Sequence, residues 1–330
     1  MTIAVTGATG FLGTALVRRL LEIEKGQQVR VLARNPDKAR QLFGSDVEII
    51  AGDITDQAQV QRTVHNASYV YHLAGQLYHP IYPVHSYTHT HVEGTRTLLA
   101  ACQKEKALQR LLYCSTTGVF GITGHQPATE EAPYAPTNPY ETAKVACELL
   151  VGQAHRTRHL PVSIIRPGLV YGPGDLHLLG LFQAIKKRLF HVIDGGRAML
   201  HPIYITDMIN AFLLGAHQDQ AVGRSYNIAG SQPVSIYELA QTIAQAQNLV
   251  LPRSSIPLWL AHLVATASTL TPGMRASTHA PLTHSRIDFL THSRIYNTTR
   301  AQHELEFVPS ITLEAGIRQT VNWYQAHAYL

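Results

Sequence analysis

The chain has 330 residues, 45% hydrophobic and 15% charged, with a formal net charge of +5. This is an ordinary globular composition, long enough for one large or two unequal domains. It carries no dense Lys/Arg run, which argues against a nucleic-acid partner, and the modest positive balance suits an anionic ligand such as a phosphorylated cofactor. Cys102, Cys114 and Cys147 form neither a C-x-x-C metal pair nor a disulfide framework, and read as small core residues in a reducing compartment.

In chain order, the apolar run 1–5 predicts a first strand. Thr6-Gly7-Ala8-Thr9-Gly10-Phe11-Leu12-Gly13 follows as a glycine-rich turn, and 12–21 predicts a helix. Strand, glycine turn and helix together make a dinucleotide site. Gly7 permits a tight turn, Gly10 lets backbone approach a pyrophosphate, and Gly13 lets the helix pack closely. The helix N-terminus offers free N–H groups and a positive dipole end to phosphates. Strands are then expected at 28–33, 47–51, 68–73, 110–114 and 162–166. Helices are expected at 36–43, 56–65, 92–104 and 139–155. Six strands alternating with helices predict an α/β fold: a doubly wound (Rossmann) parallel sheet with helices on both faces.

After Pro167 the elements shorten and Pro, Gly and His become frequent. The expected division is a dinucleotide-binding domain at 1–167 plus about 203–228, a substrate lobe at about 168–202 and 229–308, and a C-terminal helix at 309–330. The helix 206–217 and strand 225–228 are expected to return to the main sheet. No cleavable signal is expected before the first strand. The apolar stretch 256–270 is shorter than the ~20 residues a span needs, and reads as a core or interface helix, with peripheral membrane contact as the alternative. A cytoplasmic location is the expectation.

Tyr140 and Lys144 stand i, i+4 at the start of a predicted helix and share one face. An ammonium beside the phenol favours the phenolate, so the pair can exchange a proton with a substrate oxygen. Arg34 lies 21 residues after Gly13 at the end of the second strand, with Asn35 and Lys38 beside it. NAD enzymes carry an acidic residue there, whereas arginine accommodates the 2′-phosphate of NADP. NADP is therefore the expected cofactor, with NAD the weaker alternative. Nineteen histidines invite a metal reading, but His79, His85, His89 and His91 lack a ligand spacing and no metal is expected.

The G-x-x-G-x-x-G spacing, with Tyr140 and Lys144 after the fifth strand, resembles the extended short-chain dehydrogenase/reductase superfamily. Within it the chain looks most like the 3β-hydroxysteroid dehydrogenase and dihydroflavonol reductase-like branch of the NAD-dependent epimerase/dehydratase family. Cys114 to Gly121 resembles its S-S-x-x-x-V-Y-G segment. Counting back from Gly121 gives Thr116 as the third catalytic hydroxyl, with Ser115 and Thr117 as near alternatives. The resemblance implies that Asp53 and Ile54 lie at the adenine and that Leu73-Ala74-Gly75 runs along the cofactor, small residues leaving it room. It implies that Pro167, Gly168 and Val170 line the nicotinamide, and that Tyr171, His201 and Tyr204 face the substrate. Asp207 is read as capping the next helix. The ending Arg300-Ala301 … Leu305-Glu306-Phe307-Val308-Pro309 matches the family's, with Glu306 in place of the usual glycine. His91 replaces the asparagine that commonly opens N-V-x-G-T.

The expected function is hydride transfer between a nicotinamide and a secondary alcohol or ketone of a hydrophobic, steroid-, flavonoid- or β-keto-like small molecule. Tyr140 would be the acid/base, Lys144 its tuner and ribose anchor, and Thr116 the oxygen holder. The alternatives are a nucleotide-sugar epimerase with tightly bound cofactor and a non-catalytic NADP-binding regulator. Dehydratases follow the threonine with Asp-Glu, whereas this chain has Thr117-Gly118. Relatives imply a homodimer through a four-helix interface built from 92–104 and 139–155.

Overall fold

The computed structural model describes residues 1–252, 254–270 and 284–330. Its centre is a sheet of β1 (Thr2–Thr6), β2 (Gln28–Ala33), β3 (Glu48–Ala51), β4 (Ala67–His72), β5 (Arg110–Cys114), β6 (Val162–Pro167) and the strand Ser225–Ile228. The order across the sheet is Ser225–Ile228, β6, β5, β4, β1, β2, β3, and every pairing is parallel. β5 is buried at every position, which is why it reads as a continuous apolar run and not as an alternation. The strand order reverses between β1 and β4, and the crevice at their carboxyl ends is where such sheets bind ligands.

Helices cover both faces. α1 (Phe11–Ile23) buries Gly13, Leu16, Val17 and Leu20, a helical stripe against the sheet. α2 (Pro36–Phe43) is capped by Asn35, whose side chain accepts from Lys38 N. α3 (Gln57–Val64) is capped by Asp56. The helix expected at 92–104 begins earlier and changes pitch: α4 (Val84–Tyr87) runs into a π-helical turn, Thr88–Glu93, and then into α5 (Gly94–Cys102). α6 (Pro139–Arg158) starts on the Asn138 cap, with proline in its first turn where no N–H is needed.

Beyond β6, apart from Ser225–Ile228, the strands are two or three residues long: β7 (Leu169–Tyr171) pairs with Pro202–Tyr204, Met199–Leu200 with Val234–Ser235, and Val192–Ile193 with Ser255–Ile256. One hydrophobic core nonetheless runs from β1 and α1 through Phe182 and Leu239 to Tyr324 of the final helix, Leu313–Ala326. Asp207 does not cap its helix. Its carboxylate accepts from Ser310 Oγ at 2.7 Å and Ile311 N at 3.0 Å, tying down the segment before the final helix. The helix Leu258–Leu270 packs Ala261 and Ala265 against Ile193 and Ile287 and leaves Trp259 and Leu263 exposed. The part of the lobe assigned to 271–283 lies outside the described residues. Among the described residues, no helix is long and apolar enough to cross a membrane and no three His, Cys, Asp or Glu side chains are grouped to hold a metal.

Candidate active site

A cavity of about 930 Å³ opens at the carboxyl ends of β1, β4, β5 and β6. Its floor begins at the glycine turn. Gly7 adopts φ +74°, and a Cβ there would lie 2.5 Å from Ala74 N. A Cβ on Gly13 would lie 2.1 Å from the Gly7 carbonyl oxygen, so the helix packs on the turn itself rather than on the strand. Gly10 is the N-cap of α1 and no side chain caps that helix, which leaves its first N–H groups turned to the cavity. Gly7, Thr9, Gly10, Phe11, Leu12 and Gly13 all line it. A cradle that added Cβ atoms would fill, at an uncapped helix start, fits a dinucleotide pyrophosphate.

Farther in, the cavity is lined by Leu73, Gly75, Ser115, Thr116, Thr117, Tyr140, Lys144, Pro167, Gly168, Val170 and His201. The three consecutive hydroxyls have separate partners. Ser115 Oγ donates to Glu148 at 2.5 Å, and Thr117 Oγ1 donates to the Pro167 carbonyl at 3.0 Å. Thr116 Oγ1 accepts from Gly118 N at 3.0 Å and lies beside the Tyr140 phenol. Of the three, Thr116 is the one next to the tyrosine and the least buried.

Lys144 is buried, and its ammonium does not bring the Tyr140 pKa below the ordinary value as the spacing suggests. Its Nζ donates to the Cys114 carbonyl at 2.6 Å, beneath the tyrosine. Burial pushes the Tyr140 phenol above its ordinary range, and the Thr116 hydroxyl beside it opposes this only in part.

His91 stands on the π-turn with its ring edge-on to Tyr140, centroids 5.5 Å apart. Its Nε2 lies 3.0 Å from the Gln76 carbonyl. Burial, reinforced by the Lys144 charge, holds its pKa down at about 3, so the ring is neutral. The space beside Gly75 belongs to this ring, since a Cβ on Gly75 would meet His91 Cε1 at 2.6 Å. The glycine therefore makes room for histidine, where the sequence reading gave that room to a cofactor. His72, between Thr6 Oγ1 at 2.8 Å and Thr95 Oγ1 at 3.1 Å, is likewise held neutral by burial, at about 3.

Six expected site residues stand off this cavity. Tyr171 and Tyr204 pack on each other, centroids 5.6 Å apart, and border a separate space of about 440 Å³. The Tyr204 hydroxyl donates to Gln319 at 2.6 Å. Ile54 is a core side chain beneath α5, where a Cβ on Gly94 would touch it. Ala74 sits behind the glycine turn, its N–H donating to Thr6 Oγ1 at 3.3 Å. Asp53 accepts from Thr55 N at 3.0 Å and Thr55 Oγ1 at 2.7 Å. Burial raises its pKa, but these bonds and the nearby Arg34 charge hold it below the ordinary value. Arg34 is exposed at the end of β2, and Lys38 and Arg18 line the cavity nearby. His201 does line the cavity, but its Nε2 donates to the Gly230 carbonyl at 2.9 Å and its Nδ1 faces Tyr296 N at 3.4 Å.

The sequence pattern of the NAD dependent epimerase/dehydratase family matches residues 3–229, most of the chain and all seven strands of the main sheet except their extreme ends. The chain belongs to that family. It is 28% identical over 330 residues to the 2-alkyl-3-oxoalkanoate reductase of Stenotrophomonas maltophilia, covering 97% of this chain and 98% of that one. It is 26% identical to isoform 2 of the 3beta-hydroxysteroid-dehydrogenase/decarboxylase of Arabidopsis thaliana, covering 96% of this chain but only 61% of that longer protein. In fold it superposes on the UDP-glucose 4-epimerase of Thermotoga maritima with a TM-score of 0.80 at 21% identity, over 99% of this chain and 100% of the other. The relatives are dehydrogenases, dehydratases and epimerases that work on CH–OH groups with a nicotinamide dinucleotide, which makes this member of the extended short-chain dehydrogenase/reductase superfamily an enzyme.

This family member also holds site residues that the sequence reading missed. Glu148 lies four residues beyond Lys144 and eight beyond Tyr140, on the same face of α6. Besides Ser115, it accepts from Arg166 Nη2 at 2.6 Å and Nε at 2.9 Å, and from the Tyr134 hydroxyl at 2.8 Å. The pair is buried almost completely and ties β5 and β6 to α6, one turn beyond Lys144. The i, i+4, i+8 spacing was visible, but the arginine that answers it is not local. Glu141 lines the cavity beside Gly118, held by Thr137 N at 2.6 Å and Thr137 Oγ1 at 2.8 Å. Arg294, from the lobe, had no signal at all.

Proposed function

We propose that this enzyme is an NADP-dependent oxidoreductase that interconverts a ketone and a secondary alcohol on a largely apolar substrate. The observation that carries the reading is that Thr116, Tyr140 and the buried Lys144 meet on one cavity, walled by Leu77, Leu169, Leu200 and Phe289. The similarity to a 2-alkyl-3-oxoalkanoate reductase over the full length of both chains supports the same class.

A nicotinamide dinucleotide bound along the glycine turn supplies or accepts the hydride. Tyr140, kept protonated by burial, donates its proton to the substrate oxygen during reduction and takes it back during oxidation. Thr116 holds that oxygen while charge develops on it. Lys144 anchors the ribose, and its fixed charge stabilises the phenolate left after proton transfer. Arg34, with Arg18 and Lys38 at the edge of the cavity, receives the 2′-phosphate of NADP. We further place a homodimer on the faces of α5 and α6, where Leu149 is 55% exposed, to be checked by light scattering of the eluting protein.

The test is consumption of NADPH, followed optically, with a panel of long-chain 2-alkyl-3-oxo acids, steroid ketones and nucleotide sugars. Consumption with an apolar ketone, lost in Tyr140→Phe, is the expected result. Conversion of a nucleotide sugar with no net change in cofactor replaces this reading by the epimerase one. A Tyr140→Phe protein with undiminished biological activity replaces it by a non-catalytic regulator.

A further inference from the structure

Four lysine and arginine side chains line the cavity among the described residues. Arg18 and Lys38 stand on α1 and α2 beside the glycine turn, and Lys144 belongs to the catalytic pair. Arg294 alone comes from the lobe.

The segment bearing Arg294 is fixed on both sides. Arg294 N donates to the Met199 carbonyl at 2.7 Å and Met199 N donates to Ser293 Oγ at 2.9 Å. Ile295 N donates to Thr123 Oγ1 at 2.9 Å. Arg294 and Tyr296 occupy isolated β-bridges, so their side chains stand on one side of an extended chain, roughly 7 Å apart. Tyr296 lines the same cavity as Thr116 and Thr117, and its ring centroid lies 6.4 Å from that of Phe120, on the turn that begins at Thr117. Arg294 is thus one extended step from the reaction centre.

Its guanidinium has no matching anion. Nη1 makes only edge-of-range contacts, 3.4 Å to the His292 carbonyl and 3.5 Å to the Asp288 carbonyl. No carboxylate pairs with it among the described residues, whereas Arg30, Arg166 and Arg300 each have one. The acidic groups on the cavity are committed elsewhere: Glu141 to Thr137, and Asp175 to His177 N at 2.7 Å and Leu178 N at 3.2 Å. A half-buried arginine among Leu200, Phe289 and Tyr296 is poorly solvated and favours an anion. Its planar fork matches a carboxylate through two parallel hydrogen bonds.

We propose that Arg294 receives the carboxylate of the substrate, so that the ketone reduced at Tyr140 belongs to an oxo acid whose alkyl part fills the apolar wall. This rests on the reductase reading for the ketone, but the subsite can be tested without turnover. Decanoate binding to the NADP-loaded full-length protein, measured by calorimetry, is expected to weaken at least tenfold in Arg294→Gln and to be partly restored in Arg294→Lys, with NADP binding unaltered. In turnover, the preference for a 2-alkyl-3-oxo acid over its methyl ester is expected to collapse in Arg294→Gln.

Equal decanoate binding by wild type and Arg294→Gln overturns the assignment whatever the turnover. Arg294-dependent binding of dTDP or UDP, with decanoate ignored, overturns it in favour of a nucleotide diphosphate. Arg294-dependent decanoate binding without turnover of any ketone keeps the subsite and removes the reductase reading.

Discussion

The sheet half of the molecule and the lobe beyond β6 are held together differently. In the sheet half the strands are four to six residues long, α2, α3 and α6 start on their own side-chain caps, and the pair proposed for proton transfer comes from a single helical turn. In the lobe the strands are two or three residues long and are kept in place by distant groups. Asn227 donates to the carbonyls of Ala128 at 3.1 Å and Asn297 at 3.3 Å, and Thr123 N donates to the Ser293 carbonyl at 3.1 Å. The difference teaches where each task resides. The groups proposed for the cofactor cradle and for proton transfer are local and sit in motifs. The cavity wall proposed to meet the substrate is assembled from segments far apart in sequence and leaves no motif.

The largest expected effect tests the local side. Tyr140→Phe removes the proton donor, and kcat is expected to fall by ~10²–10⁴ with cofactor affinity retained. Steady-state kinetics beside cofactor titration measures both, and an unchanged kcat would break the assignment of chemistry to the motif. Next is the one long-range device beneath that motif. Glu148→Ala strands Arg166 without its carboxylate inside the protein and is expected to destabilise it by about 3–5 kcal/mol, read by urea unfolding. A loss under about 1 kcal/mol would mean that the motif needs no such support.

Acid should unfold the sheet half through its neutral histidines. His72 and His91 have pKa values lowered from 6.5 to about 3, so the unfolded chain binds these protons first. Their contribution is complete above pH ~6.5 and is lost as pH falls toward ~3, by about 1.4 kcal/mol per pH unit for each histidine in that window. His72→Asn should flatten the dependence of the unfolding midpoint on pH. A smaller effect concerns the cofactor. Arg34→Ser is expected to raise the KM for NADPH about tenfold, worth ~1.4 kcal/mol, while leaving NADH little changed. Equal effects on both would remove the 2′-phosphate role. Smallest is Glu306, exposed at φ +54° just after the helix Thr299–Glu304, in the left-handed region that glycine adopts without strain. Glu306→Gly relieves left-handed strain and should raise stability by about 0.5–1 kcal/mol, seen as a higher Tm.

What the sequence disclosed follows the same division. β2, β5, the strand Ser225–Ile228 and α2 fall on the expected residues because periodicity and caps are nearest-neighbour signals. Tyr140, Lys144, Thr116 and the glycine turn are brought together as the spacing suggests. Tyr171 and Tyr204 were misplaced because the direction of a side chain after a short strand depends on what packs against it, here Gly316 of the final helix. Asn35, beside Arg34 in the sequence, turns its side-chain oxygen to Lys38 N at 3.0 Å and caps α2. The sign of the Tyr140 shift was missed because spacing shows that an ammonium is near, but not that burial outweighs it or that Lys144 faces a carbonyl.

The π-turn at Thr88–Glu93 has a consequence for how the site tolerates change in length. A π-turn is an α-helix carrying one surplus residue. Deleting a single residue from it would let the helix close into regular α pitch with the segments on either side in nearly the same angular register, because the widened turn has already absorbed the surplus residue. What would be lost is the local bulge that carries His91 against Tyr140 and into the notch beside Gly75. The surplus residue therefore works as a local spacer: point substitutions along 88–93 alter contacts, while a deletion removes the bulge and leaves the flanking helices in register.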